Sequence, residues 1–195
     1  RPLAQGRGEL VCTRPFPSQP VGFWNDTDGE KYRRAYYARF PGVWAHGDFA
    51  ERTASGGFVI HGRSDAVLNP GGVRIGTAEI YRALAAVPEV QEALAVAQRW
   101  QGDERIVLFV VLPPGHTLGE ALRGKIREAI RTALSPRHVP AKILEVPDLP
   151  RTMNGKLSEL VVRAVIHGEP AGNEAALANP EVLRHFRDLP ELQEP

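Results

Sequence analysis

Residues 62–76 combine groups that could hold a phosphate with a turn that lets the backbone approach a ligand. The segment reads GRSDAVLNPGGVRIG and contains an acid at Asp65. Arg63 and Arg74 can each form two-pronged hydrogen bonds to a phosphate. The Asn-Pro-Gly-Gly turn between them can pass close to a ligand, because glycine has no side chain. The pattern indicates a phosphate site or a pivot, and an ordinary surface hairpin with solvated arginines fits it equally well.

Two further short motifs present charged groups on turns. His46-Gly47-Asp48 places a carboxylate just after a strand pattern, where it could accept two hydrogen bonds from a vicinal diol such as ribose. Lys156 follows an Asn-Gly turn in the polar loop Pro147–Lys156. Its ammonium could enter a site and stabilise charge that develops between a carboxylate nucleophile and a phosphate. The alternatives are an aspartate that caps a turn and an exposed turn lysine.

Other chemistry finds little support in the sequence. There is no phosphate-binding P-loop motif, no Ser-His-Asp set and no cluster of metal ligands, and the six histidines are scattered along the chain. We therefore predict no metal site formed by protein side chains. The net charge of +1 gives no reason to expect a nucleic acid or a membrane as partner.

Composition is typical of a folded protein from a reducing compartment. Apolar residues make up 43% and charged residues 24% of the 195, which is ordinary for a globular chain of one or two domains. The single cysteine, Cys12, cannot form an internal disulfide, so we expect a cytoplasmic location. The chain begins Arg-Pro, without methionine, and its first lines already resemble strands inside a domain. We therefore expect a fragment of a longer protein.

Hydrophobic periodicity predicts an α+β fold whose character changes near Asp65. Predicted strands cover Gly8–Thr13, Val43–His46, Phe49–Arg52, Gly57–His61, Ala66–Leu68, Val73–Ile75, Val90–Gln98, Arg105–Leu112 and Ala141–Val146. Predicted helices cover Glu30–Phe40, Thr77–Val87, Thr117–Leu134 and Leu157–His167. The sequence is thus β-rich before Asp65 and mixed after it.

Several details of these elements are specific enough to test. The nearly continuous apolar run of Arg105–Leu112 predicts a strand at the centre of its sheet. Thr77 is the predicted N-cap of one helix, and Thr117 with Glu120 forms a predicted capping box at the start of another. Leu160 is predicted to face the core. The last 27 residues show weak helical periodicity and several prolines, which indicates an arm that lies on another surface.

The order of these motifs resembles the closing third of the adenylate-forming acyl-CoA synthetase superfamily. It runs G-E-L, G-F-W, H-G-D, G-R-S-D, N-P-G-G-V-R-I-G-T-A-E-I and P-R-T-M-N-G-K-L, over about Gly8–Gly168. The form of the N-P-G-G segment resembles the acetyl-CoA synthetase branch. Within that branch, F-P-G-V-W-A-H-G-D, S-P-R-H-V-P and the tail motif A-L-A-N-P-E are most similar to the acetoacetate–CoA ligase family.

The resemblance implies a domain organisation and a two-step reaction. Residues 1–64 would be the β-rich end of the large AMP-binding domain, 65–168 a small mobile lid domain with a central sheet flanked by helices, and 169–195 a C-terminal tail. Acetoacetate and ATP would give acetoacetyl-AMP and pyrophosphate, and CoA would then take the acyl group. The implied cofactors are ATP and CoA, with Mg²⁺ accompanying the ATP and no protein ligand for it identified here.

The resemblance also implies roles for the residues singled out above. Asp48 matches the acid that binds the ribose, in H-G-D where most relatives have T-G-D, and Arg63 matches the arginine that contacts the nucleotide. Arg74 matches an arginine near the passage of the pantetheine arm and is assigned with the ATP and AMP contacts.

The remaining matches concern the moving parts of the enzyme. Asp65 matches the pivot between the adenylating and thioester-forming arrangements. Gly72 matches the glycine against which the pantetheine arm of CoA passes, and Lys156 matches the lysine needed for adenylation only.

The acyl pocket and the phosphate loop of the superfamily lie in the N-terminal part of the enzyme, which this chain lacks. We therefore expect no adenylation by the chain alone.

Two alternatives to this function stay open. The substrate could be acetate or propionate instead of acetoacetate. A different class of protein, a non-catalytic lid module that binds a nucleotide or a partner protein, has no evident need of Asp65 and Lys156.

Overall fold

The computed structural model describes residues 3–172 and 174–195. The chain forms two compact units, one before and one after the bond between Asp65 and Ala66. Each unit contains a small β-sheet with helical elements, and the α+β prediction is confirmed. The longest helix has 14 residues, and within the described ranges no helix is long and apolar enough to cross a bilayer.

The first unit is an antiparallel sheet with a short helix. Its elements are β1 (Gly6–Cys12), α1 (Glu30–Tyr36), β2 (Trp44–Arg52) and β3 (Phe58–Arg63). The strands lie in the order β1-β2-β3, so β2 pairs on both sides. The aromatic residues of α1 pack on this central strand: the Tyr36 ring stacks on Trp44 with 3.7 Å between centroids. The aromatic side chains of α1 therefore serve to pack the helix on the sheet.

Two predicted boundaries in this unit are wrong. The strand predicted to break at Gly47 is continuous, because Gly47 adopts a φ of 82° and a bulge follows it in the pairing with β3. Glycine absorbs such an irregularity without ending the ladder. Helix α1 ends at Tyr36, short of the predicted end at Phe40. Pro41 follows Phe40 and disfavours a helical conformation in the residue before it.

The second unit places helices on both faces of a mixed sheet. Its elements are α2 (Thr77–Leu84), β4 (Glu92–Trp100), β5 (Asp103–Val111), α3 (Glu120–Ala133), β6 (Lys142–Glu145) and α4 (Glu159–Ile166). Strand β5 lies in the middle, antiparallel to β4 and parallel to β6. The prediction of a central strand is thus confirmed, and its apolar run follows from burial on both faces.

Alternate residues of β5 enter two separate cores. The core on the side of α2 and α3 contains Ile106, Leu108, Val110, Ile80, Leu84, Ile126 and Ile130. The core on the other side contains Val107, Phe109, Val161, Val165, Leu183, Phe186 and Leu192. The period-two alternation of a strand therefore fixes which helices cover each face.

The predicted N-caps of both helices are wrong. Gly76 is the N-cap of α2, and Thr77 is its first helical residue. Helix α3 begins at Glu120 after Gly119, so Thr117 caps nothing. The backbone N–H of the intervening Leu118 donates to Glu145 Oε2 at 3.0 Å, which ties this stretch to β6 and keeps it out of the helix.

The start of α4 also differs from the prediction. The helix begins at Glu159, and Leu160 is 43% exposed, so the prediction that Leu160 faces the core is wrong. Val162 is fully buried in its place. The buried stripe of α4 consists of Val161, Val162 and Val165, and Leu160 lies outside it.

The segment 169–195, called the tail below, covers the sheet of its own unit. It consists largely of short 3-10 helices, at Glu174–Ala176, Pro180–Phe186 and Pro190–Leu192. Phe186 is fully buried and meets Phe109 edge to face with 4.8 Å between ring centroids. The tail is therefore part of the second core.

Candidate functional site

The first unit brings Asp48, Arg63 and Asp65 together. Asp48 and Arg63 are paired positions on β2 and β3. The Arg63 guanidinium donates through Nε and Nη2 to the two carboxylate oxygens of Asp65, at 3.2 and 3.1 Å. Its Nη1 donates to the His46 carbonyl at 3.1 Å and lies 3.7 Å from Asp48 Oδ1. Three of the six predicted site residues thus form one charged cluster.

The charges of this cluster keep Arg63 protonated. Burial lowers the pKa of the guanidinium, but the hydrogen bonds and charge of Asp65, with the charges of Asp48 and Glu9, outweigh it and raise the pKa above its ordinary value. The His46 ring places Nδ1 2.6 Å from Asp48 Oδ2. The Asp48 carboxylate therefore lies between an imidazole and a guanidinium, which fix its orientation while one edge stays accessible.

Gly47 is a part of this cluster whose role sequence reasoning missed. A Cβ added to Gly47 would lie 2.5 Å from Arg63 Nη2 and 2.8 Å from Arg63 Cζ. The guanidinium thus occupies the space that any side chain at this position would fill. The glycine of the H-G-D motif was visible in the sequence, but its contact with a residue 16 positions away was not.

In the second unit, Gly72 and Arg74 lie on the predicted turn. The two sides of the turn are joined by a single antiparallel bridge between Leu68 and Ile75. The predicted strands Ala66–Leu68 and Val73–Ile75 are therefore wrong. Pro70–Gly72 forms a 3-10 turn, and Gly72 adopts a φ of 77°. The prolyl residue and the glycines favour this compact turn over extended strands. Arg74 is exposed beside it.

Two acids at the start of β5 fix this turn. The Gly71 N–H donates to the Asp103 carboxylate, with 3.0 Å to Oδ2, and the Asn69 N–H donates to Glu104 Oε2 at 3.2 Å. These contacts span more than 30 residues, and nothing in the local sequence indicated them. Gly72 has no heavy atom within 4 Å of the position of a Cβ, so its backbone face is open.

Lys156 lies at the end of a tight turn and its side chain is exposed. The Thr152 N–H donates to the Lys156 carbonyl at 2.8 Å, and the Lys156 N–H donates to Thr152 Oγ1 at 3.2 Å. Gly155 has a φ of 75°, which glycine adopts readily. Among the residues that the structure describes, none forms a hydrogen bond or ion pair with the Lys156 ammonium. The backbone of the turn is thus fixed while the charge is available to an external anion.

The six predicted residues are divided between the two units. The first unit groups Asp48, Arg63 and Asp65, and the second carries Gly72, Arg74 and Lys156 on two different turns. In the described ranges, no group of three or more histidine, cysteine or acidic residues could hold a metal ion. The first unit thus presents two carboxylates beside a guanidinium, and the second presents an exposed ammonium on a turn.

Comparison with known proteins gives the context of these sites. Residues 79–156 match the model of the AMP-binding enzyme C-terminal domain. The chain is 61% identical over 193 residues to acetoacetyl-coenzyme A synthetase of Rhizobium meliloti (strain 1021), a match that covers 99% of this chain and 30% of that protein. It is 50% identical over 189 residues to acetoacetyl-CoA synthetase of Mus musculus, covering 96% of this chain and 28% of that one. The chain thus spans about 30% of the length of the curated relatives it matches.

Solved structures agree with this result. Acetoacetyl-CoA synthetase from Streptomyces lividans superimposes with a TM-score of 0.89 at 42% identity, over 100% of this chain and 30% of that one. A benzoate CoA ligase from Burkholderia xenovorans LB400 gives a TM-score of 0.65 at 29% identity, over 80% of this chain and 30% of the other. The resemblance that the motifs indicated is confirmed: residues 79–156 match the AMP-binding enzyme C-terminal domain, and nearly the whole chain is similar to the C-terminal part of acetoacetyl-CoA synthetases.

Proposed function

We propose that this chain is the C-terminal part of an acetoacetate–CoA ligase. In the first step, an acetoacetate carboxylate oxygen attacks the α-phosphorus of ATP, which gives acetoacetyl-AMP and releases pyrophosphate. In the second, the CoA thiol attacks the acyl carbon and AMP leaves. The observation that carries the proposal is the 61% identity with an acetoacetyl-coenzyme A synthetase over 99% of the chain. That match extends well beyond the 79–156 domain, into both units.

In the first unit, Asp48 and Arg63 would bind the nucleotide. Asp48 would accept hydrogen bonds from the two ribose hydroxyls, since an ionised carboxylate offers two acceptor oxygens. Arg63 remains cationic and already presents its fork to carboxylates in this cluster, so it is suited to a phosphate oxygen or a ribose hydroxyl. Arg74, exposed on the second unit, would contribute a further cation to the nucleotide.

Substitution of Gly47 tests the nucleotide role of Arg63. In the full-length enzyme, Gly47→Ala would force the Arg63 guanidinium aside, and we expect the KM for ATP to rise roughly tenfold, as for loss of one charged hydrogen bond. Gly42→Ala is the matched control, because Gly42 also has a positive φ, of 73°, but no heavy atom lies within 4 Å of its Cβ position. Equal KM values in the two variants would contradict the role assigned to Arg63.

The residues of the second unit would act in different steps. Lys156 would stabilise the charge between the acetoacetate carboxylate and the α-phosphate in the first step. The open backbone face of Gly72 would let the pantetheine arm of CoA reach the acyl-AMP in the second. Asp65, at the junction of the two units, would be the pivot between the arrangements that serve the two steps.

The proposed cofactors and setting follow from this reaction. ATP would enter with Mg²⁺, which neutralises phosphate charge, and CoA accepts the acyl group. The described residues of this chain offer no metal cluster, so the Mg²⁺ would be held by the nucleotide and the rest of the enzyme. The partner of this chain would be the N-terminal part of the same enzyme. The lone Cys12 suits a reducing cytoplasm.

An exchange assay tests the function directly. The full-length enzyme is expected to catalyse acetoacetate-dependent exchange of pyrophosphate into ATP, whereas this chain alone is expected to catalyse none. Acetate and propionate are measured in parallel. Exchange with either of them but not with acetoacetate would keep the reaction and overturn the substrate. If the full-length enzyme catalysed no exchange with any of the three acids, the ligase function would be wrong and a binding module would be favoured.

A further inference from the structure

The base of the Lys156 turn is attached to the tail. The turn comprises Arg151–Leu157, whose end residues form an antiparallel bridge. Backbone contacts join it to the tail: Thr152 bridges to Leu177, the Met153 N–H donates to the Ala176 carbonyl at 3.2 Å, and the Ala178 N–H donates to the Arg151 carbonyl at 2.8 Å. The tail thus adds a short strand-like pairing to the outer side of the turn.

Asn179 reinforces this attachment with both ends of its amide. Its Oδ1 accepts the Arg151 N–H at 2.8 Å. Its Nδ2 donates to the Leu149 carbonyl at 3.0 Å and to Asp148 Oδ2 at 2.9 Å. One side chain therefore holds Asp148, Leu149 and Arg151, which are the residues that lead into the turn.

The tail is itself held firmly against the sheet. Beyond the buried Phe186, the Leu192 carbonyl accepts hydrogen bonds from Gln98 Nε2 and Arg105 Nη2, both at 2.9 Å. Arg105 Nη1 donates to the Glu194 carbonyl at 2.8 Å. These bonds anchor the part of the tail that follows Asn179 to β4 and β5. The turn therefore contacts a segment that is itself held in place.

The turn is fixed at its base and open at its tip. Arg151 Nη1 donates to the Gly155 carbonyl at 3.2 Å, and the same guanidinium pairs with Glu92 on β4. Met153, at the tip, is 74% exposed. The ordered base orients the backbone from which the Lys156 side chain projects, while the side chain itself can reach a ligand.

We propose that the tail positions Lys156 for the adenylation step and that Asn179 is the positioning residue. This rests on the proposed function, in which Lys156 acts on the carboxylate and the α-phosphate. Asn179 touches no reacting group. It limits the conformations of the turn, so less conformational entropy is lost when the Lys156 side chain enters the site. Errors of about 1 Å in the placement of a catalytic group can cost roughly 100-fold in rate.

The proposal makes a prediction that a purely structural role does not. Lys156 would serve the first step only, so loosening its turn should slow acyl-AMP formation and spare the second step. In the full-length enzyme, Asn179→Ala is expected to lower kcat for acetoacetate-dependent ATP–pyrophosphate exchange roughly tenfold. The KM for ATP and the rate of thioester formation from supplied acetoacetyl-AMP should stay within about twofold of the unmodified enzyme.

Three further variants make the test specific. Arg184→Ala is the control for any change in the tail, since Arg184 is exposed and its side chain contacts the neighbouring His185; it should change neither step. Asn179→Asp would place a second carboxylate against Asp148 and should be at least as slow as Asn179→Ala. Combining it with Asp148→Asn restores a donor–acceptor pair between the two side chains in the reverse direction, but not the bond to the Leu149 carbonyl, and should recover part of the lost exchange.

Amide hydrogen exchange supplies a readout that does not depend on activity. The N–H groups of Thr152 and Lys156 close the turn, and in Asn179→Ala their exchange should accelerate several-fold while that of β5 is unchanged. Unchanged amide exchange, or faster exchange with undiminished adenylation, would overturn the proposal, and so would equal loss of both half-reactions. If the unmodified enzyme catalysed no ATP–pyrophosphate exchange with any of the acids, the proposed function itself would be overturned before any variant is compared.

Discussion

Replacing Lys156 with alanine in the full-length enzyme is expected to lower the rate of acetoacetyl-AMP formation by roughly 1,000-fold, the upper range for loss of one preorganised electrostatic contact. Transfer of the acyl group from supplied acetoacetyl-AMP to CoA should continue at its normal rate. The reason is that the ammonium would stabilise charge only while the carboxylate attacks the α-phosphate. Once the acyl-AMP has formed, that charge is no longer developing.

The location of Lys156 makes this result interpretable. Its side chain is exposed and its ammonium has no partner within the described ranges, so alanine removes a charge without breaking a contact. The turn itself is closed by the backbone and by Thr152, which the substitution leaves in place. The fold should therefore be unaffected, and circular dichroism should show an unchanged thermal transition.

A second lysine provides the matched control. Lys125 lies on α3, where its ammonium pairs with the Glu89 carboxylate at 2.7 Å in an exposed ion pair. Such pairs contribute about 0–1 kcal/mol, so Lys125→Ala should leave both half-reactions unchanged. If Lys156→Ala slowed both half-reactions equally, or neither, the role assigned to Lys156 would be wrong.

The sequence predicted the interior of the second unit better than its edges. The apolar run of Arg105–Leu112 was enough to predict the central strand, because burial on both faces leaves no room for alternation. The helix starts could not be predicted in the same way. Leu118 is held outside α3 by Glu145, 27 residues later, and no local pattern records that contact.

In the candidate site as well, local sequence patterns indicated which residues matter but not all the contacts that hold them. Short motifs of recognisable composition were enough to single out Asp48, Arg63 and Lys156, although the structure places Asp48 and Arg63 on strands and only Lys156 on a turn. Some contacts that orient them are local, such as those of Arg63 with Asp65, but others come from across a strand pair or from far along the chain. Asn179 meets Arg151 over 28 residues, from a segment whose prolines and weak periodicity gave no sign of its place in the fold.

Asp65→Pro in the full-length enzyme is expected to lower overall turnover by roughly 100-fold, because proline fixes φ near −65° and a pivot must change its backbone torsions between the two steps. Asp65 is the last residue of the first unit, so its backbone is where such a movement would be taken up. Single-turnover measurements should show one half-reaction close to normal and the other strongly impaired. The enzyme would be held in whichever arrangement the fixed torsion allows.

Asp65→Ala separates the pivot from the ion pair. Both substitutions remove the carboxylate that accepts two hydrogen bonds from Arg63, but alanine leaves φ free. We therefore expect Asp65→Ala to retain both half-reactions and to show at most weaker binding of ATP, since Arg63 loses a partner that orients it. If the alanine and proline variants were impaired alike, Asp65 would act through Arg63 and the movement would pivot elsewhere. If Asp65→Pro turned over normally, no backbone change at this position would be needed for the reaction, and the junction of the two units would have to move about a different residue.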